Sequence, residues 1–298
     1  MLESLLIDLR HTVRSFGRDR SFTVTAVLIL ALGIGATSSI FSVAYGVLLR
    51  PLPYPQPNEL VRLWPDQLVN KRTLMAIEGS VPALEAVSGF GTWRTALTEG
   101  GEPDLVALGR VSSGHFDVLG ARPHLGQTFR EEHHRPDGSS AVAVLSHGLW
   151  QQRFGGRTDV VGQRLEINGS AHRVIGVMPP EHRPLDPRWQ LWTPLVIDPA
   201  SADDLDSSYY LGLIGRLAPG ASLEQAEAQV QAAAWALVDA HGRRFTRDRA
   251  EAARAVALHD HVVGAVRPTL ILLLSAVAAV LLVACSNVAS LLLSRAVT

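Results

Sequence analysis

Two long stretches of this chain carry no charged residue, and they constrain everything else. From Ser21 to Leu49 the sequence reads SFTVTAVLILALGIGATSSIFSVAYGVLL, and from Pro268 to Ser294 it reads PTLILLLSAVAAVLLVACSNVASLLLS. About 20 apolar residues in a helix cross a hydrocarbon core of roughly 30 Å, so each run is long enough to span a bilayer. Arg50, then Pro51, Pro53, Pro55 and Pro57, end the first run, because proline removes a backbone donor and clashes with the preceding turn. Arg267 and Arg295 bracket the second. Ser42-Val43-Ala44 has the small residues of a signal-peptide cleavage site. The apolar stretch before it, however, exceeds the roughly 7–15 residues of a signal h-region, which favours an uncleaved anchor.

Arginine placement orients the spans. Residues 1–20 hold Arg10, Arg14, Arg18 and Arg20 against Glu3, Asp8 and Asp19, and short basic flanks stay cytoplasmic. The expected topology puts both termini in the cytoplasm, with residues 51–266 on the extracytoplasmic side. The chain divides into a cytoplasmic amphipathic helix (1–20), a first span (21–50), an extracytoplasmic domain (51–266), a second span (267–294) and a short cytoplasmic end (295–298). In the first segment Leu2, Leu5, Leu6, Leu9, Val13 and Phe16 share one helical face, suited to the membrane surface or to a cytoplasmic partner.

Small residues Ala31, Gly35 and Ser39 recur at four-residue spacing in the first span, with Gly33 and Thr37 beside them, and small side chains let helices approach closely. In the second span Ser286 and Asn287 interrupt the apolar run. An amide is costly in hydrocarbon unless bonded, so Asn287 is expected to face protein. The spans are therefore expected to pack with further helices, from another chain or from a continuation of this one.

Residues 51–267 mix strand and helix signals. Glu59–Trp64, Ala86–Thr98, Asp104–Val111, Ala141–Leu145, Arg164–Ile167, His172–Val177 and Tyr209–Leu217 read as strands, and Asn168-Gly169 marks a hairpin. Ser146 fits an N-cap, and Ser222 with Gln225 a capping box before an Ala-rich helix from Leu223 to Val238. The expected fold is an α+β domain, in two small lobes, flanked by two transmembrane helices.

Chemistry is sparse. A formal net charge of −1 gives no support for a nucleic-acid partner. Its one cysteine, Cys285, rules out an intrachain disulfide and multi-cysteine zinc sites. No phosphate-binding G-x-x-x-x-G-K-[ST] occurs, and Gly89-Phe90-Gly91 lacks the rest of a dinucleotide loop. His133-His134 reads as a polar loop and Asp203, Asp204 and Asp206 as a solvated acidic one. His259-x-His261 makes no zinc-binding helix motif. Ser146-His147 lacks a nucleophile elbow. Trp150, Phe154, Trp189 and Trp192 are expected in the core. The expectation is a non-enzyme without metal or cofactor.

Longer motifs carry a family resemblance. GHFDVLGARPHLGQTF, VAVLSHGLWQQRFGG and VVGQRLEINGSAHRVIGVMPP resemble the periplasmic core domain of MacB-like permeases. GIGATSSIFSVAYGVLLRPLPYP and LLVACSNVASLLLSRA resemble the same group around its first and second spans. The resemblance extends to the duplicated orphan permeases related to MacB and FtsX. It implies an ABC transporter permease, or its N-terminal part, in which a separate cytoplasmic ATPase moves the helices. That motion would serve export with periplasmic or outer-membrane partners, or mechanotransmission to extracytoplasmic enzymes. The family carries further helices after a second span, so the chain is expected to be the first part of a longer permease. A two-span sensor with an extracytoplasmic ligand-binding domain is the alternative layout.

Overall fold

The computed structural model describes residues 20–98, 104–137, 140–206, 208–242, 244–264 and 266–296. The amphipathic face at Leu2, Leu5, Leu6, Leu9, Val13 and Phe16 lies outside the described residues. The chain forms two compact units: residues 1–50 with 263–298, and residues 51–262.

The first unit contains two long helices, α1 (Arg20–Ala44) and α9 (Arg267–Ala296). α1 ends in a wider π turn over Tyr45–Leu49, closed by Arg50 N donating to Tyr45 O at 3.1 Å. Of the described helices, α9 is long and apolar enough to cross a membrane over Arg267–Ser290, with mean hydropathy 2.6 and almost no burial. The apolar stretch of α1 is shorter, Ala31–Ala44. Glycines and hydroxyls (Gly33, Gly35, Thr37, Ser38, Ser39, Ser42) dilute its hydropathy, although Leu28, Leu32, Ile34 and Phe41 stand exposed.

The second unit is built on one ten-stranded mixed sheet. Its strands are β1 (Leu60–Leu63), β2 (Leu84–Leu97), β3 (Asp104–Val111), β4 (Leu125–Gly126), β5 (Val142–Leu145), β6 (Arg164–Ile167), β7 (Ser170–Val177), β8 (Trp189–Pro194), β9 (Gly212–Leu217) and β10 (Ala255–Ala257). Nine run in the order β10-β1-β9-β2-β3-β8-β5-β7-β4, and β6 pairs with β2 and β7. The expected two lobes are thus one continuous sheet, because the 14-residue β2 belongs to both ends. The apolar cores remain separate. At one end α2 (Lys71–Ser80), α6 (Leu223–His241) and α7 (Arg247–Glu251) bury Leu74, Ile77, Val230, Ala234, Leu237 and Ala250 against β1, β9 and β2. At the other, α4 (His147–Phe154) lays Leu149 and Trp150 on Leu108, Leu145, Val174 and Leu191. Trp189, Trp192, Phe116 and Phe129 form a third cluster on the sheet's reverse face.

Local signals explain the punctuation. Ser146 Oγ accepts from Leu149 N at 3.1 Å and caps α4. Ser222 and Gln225 form the reciprocal capping box of α6. Asn168 and Gly169 both adopt positive φ, which lets two residues turn β6 into β7. All four residues of β1 are buried. One expectation changes. The acidic segment is a short helix, α5 (Ala202–Asp206), and a fastening point. Asp204 pairs with Lys71 at 2.5 Å, and Asp206 binds Arg72 at 2.6 and 2.9 Å and Arg244 at 2.9 Å. The chain brings three cations to these carboxylates from α2 and from residue 244, which no local spacing announces.

Candidate functional site

Two connections join the sheet domain to the long helices, and both meet the sheet at one place. The first, Pro51–Glu59, leads into β1. The second, α8 (Leu258–Gly264), leaves β10. β1 and β10 are antiparallel neighbours with Val61 opposite Ala257, so the start of one lies beside the end of the other.

The first connection alternates like a strand. Pro51, Pro53 and Pro55 are exposed, while Leu52 and Tyr54 turn inward. Residues before proline are held extended, so the Pro-X-Pro-X-Pro pattern sets this alternation locally. Leu52 and Tyr54 pack on a small core of Leu60, Val118, Leu119, Ile214 and Leu258, the last of which belongs to the second connection. Tyr54 donates its hydroxyl to Arg183 O at 2.9 Å, and burial pushes its pKa up to about 12.

Arg216 on β9 fixes the arrangement. It sits opposite both Leu60 of β1 and Ala86 of β2, and only 7% of its surface is exposed. Its guanidinium donates from Nε and Nη2 to Val118 O (3.0 and 2.8 Å) and from Nη2 to Pro55 O (3.1 Å). Nη1 donates to Glu59 Oε2 (3.0 Å) and Gln56 O (3.4 Å). One planar group thus ties three successive parts of the connection to the sheet and to α3 (His115–Val118). Gly120, with φ +60°, lets the turn after α3 lie against Pro55, where a Cβ would come within 3.0 Å of its Cγ.

A second arginine lies beside the clamp. Arg62 is 6% exposed, lies over the Phe90 ring at 5.1 Å and donates to Leu213 O at 3.1 Å. Burial pushes its pKa down to about 10. Gly212 makes room for it, since a Cβ there would strike the Arg62 guanidinium and Phe90 Cζ. The sequence expectation passed over both arginines. A clue was available in GLIGRL, where one arginine interrupts an otherwise apolar strand.

The sequence-flagged helix residues divide between faces. Gly33 is buried, and a Cβ on it would meet Leu281 Cδ1 of α9 at 3.0 Å. Thr37 folds its hydroxyl onto Gly33 O at 2.7 Å. Gly33, Thr37, Ile40 and Ala44 form the covered stripe of α1, matched on α9 by Leu274, Val277, Leu281, Ala284 and Val288. These alternate three- and four-residue steps suit a shallow helix crossing. Ala31, Gly35 and Ser39 face the other way and are exposed, with nothing within 4 Å of a Cβ on Gly35. Ser286 and Asn287 are also exposed.

His133 and His134 belong to a 3-10 turn rather than a polar loop. His133 is 4% exposed and accepts from Arg130 N at 3.0 Å. Ser146, His147, Trp189 and Trp192 border a cavity of about 480 Å³, with Ser146 committed to its cap. Among the described residues no three histidine, cysteine, aspartate or glutamate side chains converge as a metal requires.

A family model described as the MacB-like periplasmic core domain matches residues 23–233. The periplasmic region of MacB from Actinobacillus actinomycetemcomitans superposes with a TM-score of 0.50 at 15% identity, covering 77% of this chain and 98% of that one. The extracellular domain of the noncanonic ABC-type transporter YknZ from Gram-positive bacteria gives 0.47 at 16% identity, covering 66% and 99%. No curated protein matches the sequence. On the family match, the chain belongs to the MacB-like periplasmic core domain family of ABC transporter permeases.

Proposed function

We propose that this chain is the coupling unit of a MacB/FtsX-like permease, carrying helix motion into its extracytoplasmic domain. In this reading α1 and α9 cross the bacterial inner membrane, residues 51–266 lie outside, and a separate cytoplasmic ATPase drives the helices. The chain does no chemistry itself. The observation that carries the reading is the shared anchorage: both connections end on the neighbouring strands β1 and β10. A relative shift of the two helices would therefore load one strand pair instead of two distant points. The Arg216 clamp stiffens the first connection, so displacement passes to the sheet rather than being absorbed by a slack linker. The exposed small face at Ala31, Gly35 and Ser39, with Asn287 on α9, is where further permease helices or a second chain would pack.

Topology is tested with single cysteines in a Cys285→Ser background. A Gln231→Cys variant should react with a membrane-impermeant maleimide in intact spheroplasts, and a Ser15→Cys variant only after permeabilisation. The reverse pattern overturns the orientation. Coupling is tested by co-purifying the full chain with a nucleotide-binding subunit and following maleimide labelling of Pro53→Cys with and without ATP. Labelling that ignores ATP in such a complex would defeat the coupling role.

A further inference from the structure

A cavity of about 500 Å³ opens between α2 and the 3-10 turn Glu131–His134, remote in sequence from either connection. α2 contributes Met75 and Glu78, one turn apart, from the face that adjoins its buried Leu74 and Ile77. The 3-10 turn supplies Glu131 and His134, and the strand exit after β8 supplies Leu195 and Ile197. The two last walls are one piece: His134 Nδ1 donates to Leu195 O at 3.0 Å, and Ile197 N donates to His134 O at 3.4 Å.

The charges in this cleft do not balance. Glu78 and Glu131 come from the two different segments that line the cleft, and neither has a hydrogen bond or ion pair among the described residues. Crowding by the walls, and then the Glu131 charge, push the Glu78 carboxyl up to about 7. Burial holds His134 below its ordinary value, so it stays neutral and supplies no counter-charge. Arg135 and Asp137 also border the cavity and offset one another in formal charge. What remains is a pair of carboxylates beside an apolar wall of Met75, Leu195 and Ile197. That composition repels anions. It favours a cation that brings its own apolar surface, and the volume falls within the usual roughly 300–1,000 Å³ of small-molecule sites. With no third metal donor converging among the described residues, an inorganic ion is the poorer fit.

We propose that this cleft binds a small organic cation, a protonated amine on an apolar stem, with the ammonium between Glu78 and Glu131 and the stem on Met75, Leu195 and Ile197. The assignment does not depend on the coupling reading. The test is a ¹⁹F NMR titration of the full chain in neutral detergent with 4-fluorophenethylammonium. The neutral probe 4-fluorophenethyl alcohol and magnesium chloride serve as comparisons. The amine should bind at least about tenfold more tightly than the alcohol. Its affinity should rise about tenfold from pH 6 to pH 8 as Glu78 ionises, since the amine itself stays protonated throughout. Glu78→Gln, checked for folding by circular dichroism, should weaken binding and flatten the pH profile. Met75→Ala should weaken binding and leave that profile in place. Equal binding of amine and alcohol, no saturable amine binding at millimolar concentration, displacement by equimolar magnesium, or an unaltered profile in Glu78→Gln would each overturn the assignment.

Discussion

Replacing Arg216 by alanine tests the clamp directly. Five hydrogen bonds disappear, and their values differ with surroundings. Glu59 is 36% exposed at its side chain and is rehydrated once released, so its ion pair contributes little. Val118 O is different: it accepts two of the five bonds from a guanidinium only 7% exposed. Hydrogen bonds to charged groups contribute about 1.5–3 kcal/mol, and a buried acceptor left alone costs about 1–3 kcal/mol. Adding Pro55 O and the loss of packed side-chain stem gives a destabilisation of about 3 kcal/mol. For a domain of this size that lowers Tm by about 6–12 °C. Arg216→Lys keeps the charge but cannot fork to several acceptors, and should recover less than half of the loss.

Thermal unfolding of the full chain in detergent, followed by tryptophan fluorescence, gives the magnitude. Hydrogen exchange gives the location. The Tyr54 and Glu59 amides, bonded to Leu52 O and Gln56 O within the connection, should lose protection in Arg216→Ala, while amides of α6 keep theirs. A Tm within 1 °C of wild type, or uniform loss of protection across the domain, would refute the clamp as the element that fixes the connection.

Three further outcomes can be measured. Gly212→Ala should destabilise by about 1–3 kcal/mol through overpacking against Arg62 and Phe90, and a companion Arg62→Met should relieve most of it; denaturant melts of the single and double variants check this. Burial pushes His115 from 6.5 down to about 3 and His182 to about 4, so both fold neutral and the unfolded chain takes up the protons first. Their contribution is complete above pH 6.5 and is lost as pH falls toward 4, at about 1.4 kcal/mol per unit for each; denaturant melts across that range should show a slope that His182→Gln reduces. Gly33→Ile should disrupt the α1–α9 pairing while Gly35→Ile leaves it intact, read as disulfide formation between Thr37→Cys and Val277→Cys in a Cys285→Ser background.

The elements legible in the sequence are those that local physics decides. Asn168-Gly169 must turn because of its φ preferences, and Ser146 and Ser222 cap helices because their hydroxyls reach donors three residues on. β8 was not foreseen: Trp189–Pro194 lies beyond a proline-rich stretch and becomes a strand by pairing with two distant strands, parallel with β3 and antiparallel with β5. The helix stripe shows a subtler limit. Ala31, Gly35 and Ser39 fit the small-residue spacing as well as Gly33 and Thr37 do, because α1 has small residues on two opposite faces. Periodicity identifies a face but cannot choose between two of them; Leu281 on α9 makes the choice.

The clamp was hidden for a related reason. An arginine inside an apolar strand has two physical outcomes, a costly orphan or the partner of acceptors brought by the fold. Arg216 is the second. Its acceptors come from Pro55, Gln56, Glu59 and Val118, nearly 100 to 161 residues away in sequence. Such a group stabilises only the arrangement in which all of them converge. The connection is therefore held in one position by the same bonds that stabilise the sheet, and displacing it requires breaking them. If the chain couples helix motion to its domain, as proposed, the junction needs that stiffness. A flexible proline-rich tether fastened at a single point would not provide it.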